Sequence, residues 1–173
     1  MRTAASDTAT AVAGGPASQA LRTALGRFAT GVTIVTCRDA DGTPVGLTAN
    51  SFAALSLDPP LVLWSLRQAS GRLAAFDAAG HFAVNVLTEQ QVGLSRRFAS
   101  SQVDKFAEGA WHDGQGGSPV LAGCAAVFEC ATEARHEAGD HVLYIGRVLQ
   151  LTSRDMQPLL FHAGHYRALG APL

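Results

Sequence analysis

The sequence predicts an antiparallel β-barrel of the α+β class, made mainly of β-strands with helices at its margins. Short apolar runs of strand length occupy most of the chain, and only a few stretches repeat at helical spacing. Turn signals such as Asp41-Gly42 separate neighbouring runs, as they do in β-hairpins. The chain has 173 residues, of which 47% are apolar, so it is long enough for one domain with a proper core.

The first predicted elements are a helix and a hairpin. Ser18 is expected to cap a short helix with apolar residues at helical spacing, and Gly31 is expected to end it. Strands over 32–38 and 44–52 follow, and they pair around the Asp41-Gly42 turn.

Three elements are predicted in the middle of the chain. The strand over 61–67 is almost entirely apolar, which is typical of a central position in a sheet. A helix over 70–79 comes next, closed by Gly80. A further strand is expected over 82–87.

The last part of the domain is predicted to be a helix, a long loop and two long strands. The capping-box pattern of residues 88–91 begins a helix that runs to about Phe98. Residues 100–118 have no periodicity and are rich in Gly, Ser and Asp, so we expect a surface loop, and loops of this length are often functional. The two strands are expected over 123–136 and 141–153.

Composition and charge bound the function classes. The net charge of −1 gives no basic excess for a phosphate backbone, so a nucleic-acid partner is not expected. No apolar run reaches the ~18 residues that span a bilayer, so a membrane role is not expected either. Residues 1–17 are interpreted as a disordered tail rather than a signal peptide, which leaves 18–170 as the folded domain.

The cysteines and histidines do not indicate a metal site. Cys37, Cys124 and Cys130 form an odd set with no CxxC spacing, which disfavours a disulfide framework and a zinc site and suggests a reduced, cytoplasmic protein. The His162-x-x-His165 spacing lacks a third ligand nearby. No GxGxxG follows a strand, and no GxSxG, HExxH or Walker sequence occurs, so a bound organic cofactor has to supply the chemistry.

The most informative segment is 45–52, in which small polar residues interrupt an apolar strand. Gly46 would let a ligand approach the backbone closely. Such a segment can present main-chain amides and short side chains to a planar polar ligand, which suits a flavin better than a nucleic acid. A two-residue period divides the side chains into two faces: Leu47, Ala49 and Ser51 on one, and Thr48, Asn50 and Phe52 on the other.

These residues belong to a longer ordered set that resembles the short-chain NAD(P)H:flavin oxidoreductases, the reductase components of two-component flavin-dependent monooxygenases. The set covers nearly all of residues 21–166, and its segments are 26–36, 46–51, the Asp58-Pro59-Pro60 turn, 82–87, Gly139-Asp140-His141 and Gly164-His165-Tyr166. The resemblance implies a split β-barrel flavin-binding fold with peripheral helices. It also implies a homodimer with active sites at or near the subunit boundary.

The resemblance implies functions for individual residues as well. Residues 48–51 would line the isoalloxazine and ribityl chain, Arg67 would bind the phosphate with nearby hydroxyls, and His141 would be the catalytic residue beside the nicotinamide. Gly139 would make the turn, and Asp140 would fix that turn or the imidazole. The full set of implied cofactor-binding residues is Thr30, Gly31, Gly46, Leu47, Thr48, Ala49, Asn50, Ser51, Ser65, Leu66, Arg67, Ser70, Asn85, Lys105, Phe106, Gly139, Asp140, His141 and Tyr166.

Several of these residues also have a purely structural interpretation. Arg67 and Arg72 could be solvated surface charges, and Gly71-Arg72 stands where the family commonly has another hydroxyl. Asn85 could be an ordinary strand amide. Lys105 could reach a flavin phosphate or a nucleotide, or it could be an ordinary loop lysine.

The leading functional hypothesis is that the protein uses NADH, or alternatively NADPH, to reduce FMN or FAD, and releases the reduced flavin to a separate monooxygenase. A non-catalytic FMN-binding electron carrier is one alternative, because a fold does not fix a function. A flavin-dependent reductase of another acceptor, such as a corrinoid or a ferric complex, is the other.

Overall fold

The structure, a computed structural model, describes residues 16–173. Its helices are α1 (Pro16–Leu25), α2 (Leu73–Ala78) and α3 (Val92–Ala99). The strands up to α3 are β1 (Thr30–Gly31), β2 (Thr33–Arg38), β3 (Pro44–Ala49), β4 (Ala53–Leu57), β5 (Pro60–Arg67) and β6 (His81–Val86). The strands after α3 are β7 (Trp111–Asp113), β8 (Pro119–Leu121), β9 (Ala126–Ala138), β10 (His141–Ser153), β11 (Leu160–His162) and β12 (His165–Arg167).

Seven strands form one antiparallel sheet, in the order β3-β2-β6-β9-β10-β5-β4. β3 and β4 follow each other in the chain, yet they lie at opposite edges of this sheet. Residues 50–52 alone connect them, and four Cα steps of 3.8 Å cover at most about 15 Å. The sheet therefore curls until its two edges meet at the 50–52 crossing, and the predicted split barrel is confirmed.

The concave face of this sheet holds the first hydrophobic core. Trp64 of β5 is fully buried, stacks on Tyr144 of β10 with ring centroids 4.9 Å apart, and meets the ring of Phe76 from α2 edge-on. The strand over 61–67 is one removed from the sheet edge rather than central. Its apolar content follows from burial of Val62, Trp64 and Leu66 in the barrel.

The convex face of β2, β6 and β9 holds the second core, which α3 and β8 cover. Ile34, Leu87 and Phe98 are each at most 1% exposed there. Asn85 lies in the same layer, where its Nδ2 donates to the Ile34 carbonyl at 3.0 Å and its Oδ1 accepts from the Leu121 amide at 2.8 Å. This buried amide joins β8 to the sheet.

The N-terminal prediction needs correction. Of the predicted disordered tail over 1–17, residues 1–15 lie outside the described residues. Ser18 lies inside α1 rather than at its cap, because the helix already includes Pro16, and proline suits a first turn. The helix ends at Leu25, and Gly31 instead pairs with Leu160 as part of β1.

Other boundaries also differ from the predictions. The strand over 44–52 ends at Ala49, so the two-residue alternation does not continue through 50–52, and β4 was not predicted. The helix over 70–79 begins only at Leu73, because a turn closes first, with the Ser70 amide on the Arg67 carbonyl. The strand predicted over 123–136 spans Ala126–Ala138, closer to its turn, so that only Gly139 and Asp140 separate it from β10. The strand predicted over 141–153 is confirmed, because β10 spans His141–Ser153.

The segment 100–118 is more ordered than predicted, and it contains β7, which pairs with β8. The C-terminal hairpin of β11 and β12 was also not predicted. The capping box before α3 is confirmed, since Gln91 Oε1 accepts the Thr88 amide at 2.9 Å. Its first turn is a 3-10 turn over Glu89–Gln91.

Gly46 has a packing reason that sequence patterning does not show. A Cβ at this position would lie 2.8 Å from Cε1 of Phe98 and 3.2 Å from Cγ2 of Thr36. The missing side chain therefore lets α3 press Phe98 onto β3. The close approach predicted at Gly46 involves this aromatic ring of the protein.

We expect the substitution Gly46→Ala to destabilise the protein by about 1–3 kcal/mol, because the added methyl group overpacks this contact. Urea unfolding at equilibrium measures the change. Gly93→Ala in α3 is the matched control, since nothing lies within 4 Å of its Cβ position and alanine favours a helix by about 1 kcal/mol. Equal unfolding midpoints for Gly46→Ala and the wild type would contradict the packing role.

Candidate functional site

A cleft of about 590 Å³, here called the seam cleft, opens where β3, the 50–52 crossing, the end of β5 and the start of β10 meet. The 50–52 crossing determines the position of this cleft, because the crossing brings the two edges of the large sheet together. Its lining residues are Leu47, Thr48, Ala49, Asn50, Ser51, Ser65, Leu66, Arg67, Ala69, Ser70, Arg72, Phe98, Ala99 and His141.

β3 contributes main-chain groups to the seam cleft. It is an edge strand, so about half of its backbone N–H and C=O groups have no neighbouring strand to bond. Leu47 and Ala49 pack toward the barrel core, while the Thr48 hydroxyl donates to the Ser95 carbonyl of α3 at 2.6 Å. The predicted faces of Leu47, Thr48 and Ala49 are therefore correct, and the Thr48 hydroxyl is already bonded within the protein.

Ser51 fastens the two sides of the seam. Its Oγ donates to the Ser65 carbonyl at 3.1 Å and accepts the Ser65 amide at 3.0 Å. The ring of Phe52 packs on that of Phe128 with centroids 5.3 Å apart. This crossing is therefore held on both sides, with Asn50 exposed at the mouth of the cleft.

The turn after β5 brings positive charge to the seam cleft. Arg67 is exposed and Arg72 is half-buried, and neither guanidinium forms an ion pair with a carboxylate of residues 16–173. The Ser70 hydroxyl lies between them in sequence and accepts the Arg72 amide at 3.3 Å. Guanidinium groups and a hydroxyl are suited to bind phosphate groups.

His141 lies beside Arg67, at the first position of β10, and the two residues are paired in register. Its Nδ1 lies 2.8 Å from Oδ1 of Asp140, and this hydrogen bond holds the pKa of the Asp140 carboxyl below its ordinary value. Gly139 adopts φ +60°, which favours glycine, and completes the two-residue turn before His141. Asp140 is thus hydrogen-bonded to the imidazole, the geometry needed for one of the two functions suggested for it.

Lys105, Gly46 and Phe106 line a second cavity of about 660 Å³, here called the hairpin cavity, beside the β2–β3 turn. Lys105 is only 5% exposed, and its Nζ donates to the carbonyls of Phe98 at 2.7 Å and Ser100 at 2.6 Å, at the end of α3. Burial and the neighbouring Arg72 charge lower the pKa of Lys105 to about 8. Arg72 lines both cavities.

Other predicted site residues lie away from the lining of the seam cleft. Asn85 uses its amide inside the core, as described above, so the structure favours its structural interpretation. Tyr166 reaches the cleft only indirectly, because its OH bonds Ser95 Oγ at 2.8 Å. Thr30 and Gly31 belong to the small sheet with β11, where the Thr30 hydroxyl is buried without a hydrogen-bond partner among the described residues.

Sequence reasoning left four lining residues out of the predicted site: Arg72, Ala69, Phe98 and Ala99. Arg72 was noted as a departure from the family pattern and considered as a solvated surface charge, and no periodicity signal marks it. The predicted helix ended at about Phe98, which was assigned to packing, and only the tertiary fold shows that the end of α3 borders the cleft.

Residues 16–173 contain no group of three or more His, Cys, Asp or Glu side chains placed to hold a metal ion. The three cysteines are free and buried, and burial raises the pKa of each thiol to about 12, which makes them packing residues. Within the same residues, no helix has the length and apolarity needed to cross a bilayer.

Relatives with known names share this chain's sequence over most of its length. An FMN reductase (NADH) of Agrobacterium fabrum is 47% identical over 155 residues, which cover 90% of this chain and 88% of that protein. The reductase subunit of a flavin-dependent monooxygenase of Rhodococcus jostii is 48% identical over 86% of this chain and 76% of its own length. Against two other relatives, from Rhizobium meliloti and Acinetobacter baylyi, the chain spans about half of their length.

Solved structures agree with the sequence matches. An NADH:FAD oxidoreductase of Streptomyces globisporus, in complex with NAD and FAD fragments, superposes with a TM-score of 0.85 at 37% identity, covering 94% of this chain and 98% of that one. The profile of the flavin reductase like domain matches residues 25–170. The seven-stranded split barrel, the seam cleft and these matches agree, and the chain belongs to the family of the flavin reductase like domain.

Proposed function

We propose that this protein is an NADH-dependent flavin reductase, which reduces FMN or FAD and supplies the reduced flavin to a separate flavin-dependent monooxygenase. One observation carries the proposal: the unpaired backbone edge of β3, the cationic turn at Arg67 and the oriented His141 converge on one cleft. The names of the relatives support the same reaction, since they include an FMN reductase (NADH) and a monooxygenase reductase subunit.

The seam cleft fits a flavin in size and chemistry. Its volume of about 590 Å³ lies within the range of about 300–1,000 Å³ usual for small-molecule sites. One edge of an isoalloxazine ring carries both hydrogen-bond donors and acceptors, and the free edge of a β-strand offers both kinds of partner. Arg67 and Ser70 would hold the flavin phosphate through charge-assisted and neutral hydrogen bonds.

A bound flavin supplies the redox chemistry, since its ring accepts the hydride of NADH and the products are NAD⁺ and reduced flavin. The protein's task is placement, because the two rings have to stack with the reacting atoms about 3–3.5 Å apart. Main-chain amides of β3 can stabilise the negative charge that a flavin ring gains on reduction. His141, held by Asp140, would position the nicotinamide.

We also propose that the protein acts as a homodimer in the cytoplasm. Leu57 and Leu151 are 94% and 61% exposed at the same end of the large sheet, where a second copy could cover them. The free, buried cysteines suit a reducing compartment.

The reductase proposal predicts that the purified protein oxidises NADH slowly alone and much faster when FMN or FAD is added. Absorbance at 340 nm measures this, with NADPH, a ferric complex and a corrinoid tested in parallel. An electron carrier would instead retain a yellow cofactor and give no turnover with added flavin. Failure of either flavin to stimulate NADH oxidation would overturn the proposal.

We expect His141→Ala to lower kcat/KM for NADH by about tenfold or more, because the nicotinamide loses its positioning group. Asp140→Asn should give a smaller loss, since it removes the charge that orients the imidazole and leaves the ring in place. Steady-state kinetics at saturating flavin measure both effects. His112→Ala, at an exposed position in β7, is the control and should match the wild type. A His141→Ala enzyme with unchanged kcat/KM would exclude this residue from the site.

The homodimer proposal predicts a particle of twice the 18.0 kDa chain mass in light scattering. Leu57→Asp combined with Leu151→Asp should shift the mass toward 18.0 kDa, because charge in a buried apolar contact is costly. Leu169→Asp, at an exposed C-terminal position, should leave the mass unchanged. A wild-type protein that scatters as a monomer would refute the dimer.

A further inference from the structure

The seam cleft and the hairpin cavity share one residue, Arg72, and this junction is chemically unusual. The Arg72 side chain is half-buried at the start of α2 and lines both cavities. No carboxylate of residues 16–173 pairs with it. A half-buried guanidinium without a counter-ion on the protein is a good partner for an anionic ligand.

Lys105 adds a second cation to the same junction. It lies close enough to Arg72 for the two charges to repel, and both line the hairpin cavity. A protonated lysine has three N–H donors, and the carbonyls of Phe98 and Ser100 take two of them. One donor is left for a ligand, and a group with two negative charges would relieve the repulsion between the two cations.

The far side of the hairpin cavity has a different character. Asp39 and Asp41 of the β2–β3 turn line it, and the Asp39 carboxylate is fixed because it accepts the amides of Asp41 at 3.0 Å and Thr43 at 2.8 Å. Carboxylates there suit the hydroxyl groups of a ribose or an exocyclic amine. Val103, fully exposed at the rim, offers an apolar contact to a flat ring.

We propose that this chain takes the dinucleotide flavin FAD across both cavities, with the pyrophosphate at Arg72 and Lys105 and the adenosine in the hairpin cavity. The proposal rests on the proposed function, which places the isoalloxazine in the seam cleft. FMN ends at the phosphate site of Arg67 and Ser70, so it gains nothing from the hairpin cavity. Arg72 is therefore a specificity residue for FAD over FMN.

Calorimetric titration of the full chain with FAD, FMN and NAD⁺, in the absence of NADH, tests this directly. We expect the wild type to bind FAD more tightly than FMN. Arg72→Ser, which restores the hydroxyl common in the family, should raise the ratio of the FAD to the FMN dissociation constant by about tenfold, the loss of about one charge-assisted hydrogen bond. Arg72→Lys should give an intermediate ratio because it keeps the charge.

Arg154→Ser is the matched control, because it removes the same charge at a distant position. Arg154 directly follows β10, at the end of the strand opposite to His141. It should leave the ratio unchanged, and circular dichroism verifies that each variant is folded. An unchanged ratio in a folded Arg72→Ser protein would overturn the proposal. Weaker binding of NAD⁺ without weaker binding of FAD would also overturn it, because the pyrophosphate would then belong to the nicotinamide dinucleotide.

The test separates this inference from the proposed function. Binding ratios do not depend on turnover, so a wild type that binds FAD through Arg72 but oxidises no NADH would refute the reductase activity alone. If the wild type reduces both flavins, and Arg72→Ser has the same ratio of FAD to FMN dissociation constants as the wild type, only the specificity assigned to Arg72 is refuted.

Discussion

Residues 50–52 carry the chain from one edge of the seven-stranded sheet to the other, and the position of the site depends on this crossing. A connection of three residues cannot bridge a flat sheet of seven strands, so the sheet has to curl. The curled sheet encloses the core of Trp64 and Tyr144 and leaves one seam, where its two edges meet. Ser51 locks that seam by exchanging two hydrogen bonds with Ser65. The cleft is the part of the seam that stays open.

Much of the fold follows from local sequence signals. The Asp41-Gly42 turn, the apolar run of β5 and the capping box before α3 each act over a few residues, and the structure contains all three. The short strands β7, β11 and β12 have three residues each, too few for a period to be visible. They exist because tertiary partners, such as β8 for β7, complete their hydrogen bonds.

The candidate site was less predictable than the fold, for a similar reason. Segment 47–51 and His141 could be selected by motif, and they do meet in one cleft. Asn85 belongs to one of the segments that resemble the family, yet its side-chain amide forms its hydrogen bonds inside the core, with β2 and β8. Gly46 faces an aromatic ring of α3, a contact across 52 residues of chain that no local pattern encodes. The functions of the individual lining residues remain predictions.

The unpaired edge of β3 also bears on how this cleft can change over evolutionary time. Most point mutations leave main-chain groups unchanged, so drift in side chains leaves the β3 wall of the cleft nearly constant. Its two hydroxyls, of Thr48 and Ser51, are committed to the scaffold. New ligand preferences therefore arise more easily in the stretch 67–72, where side chains line the cleft. If a flavin occupies the cleft as proposed, divergence within such a lineage alters how its phosphate end is bound and leaves the binding of its ring unchanged.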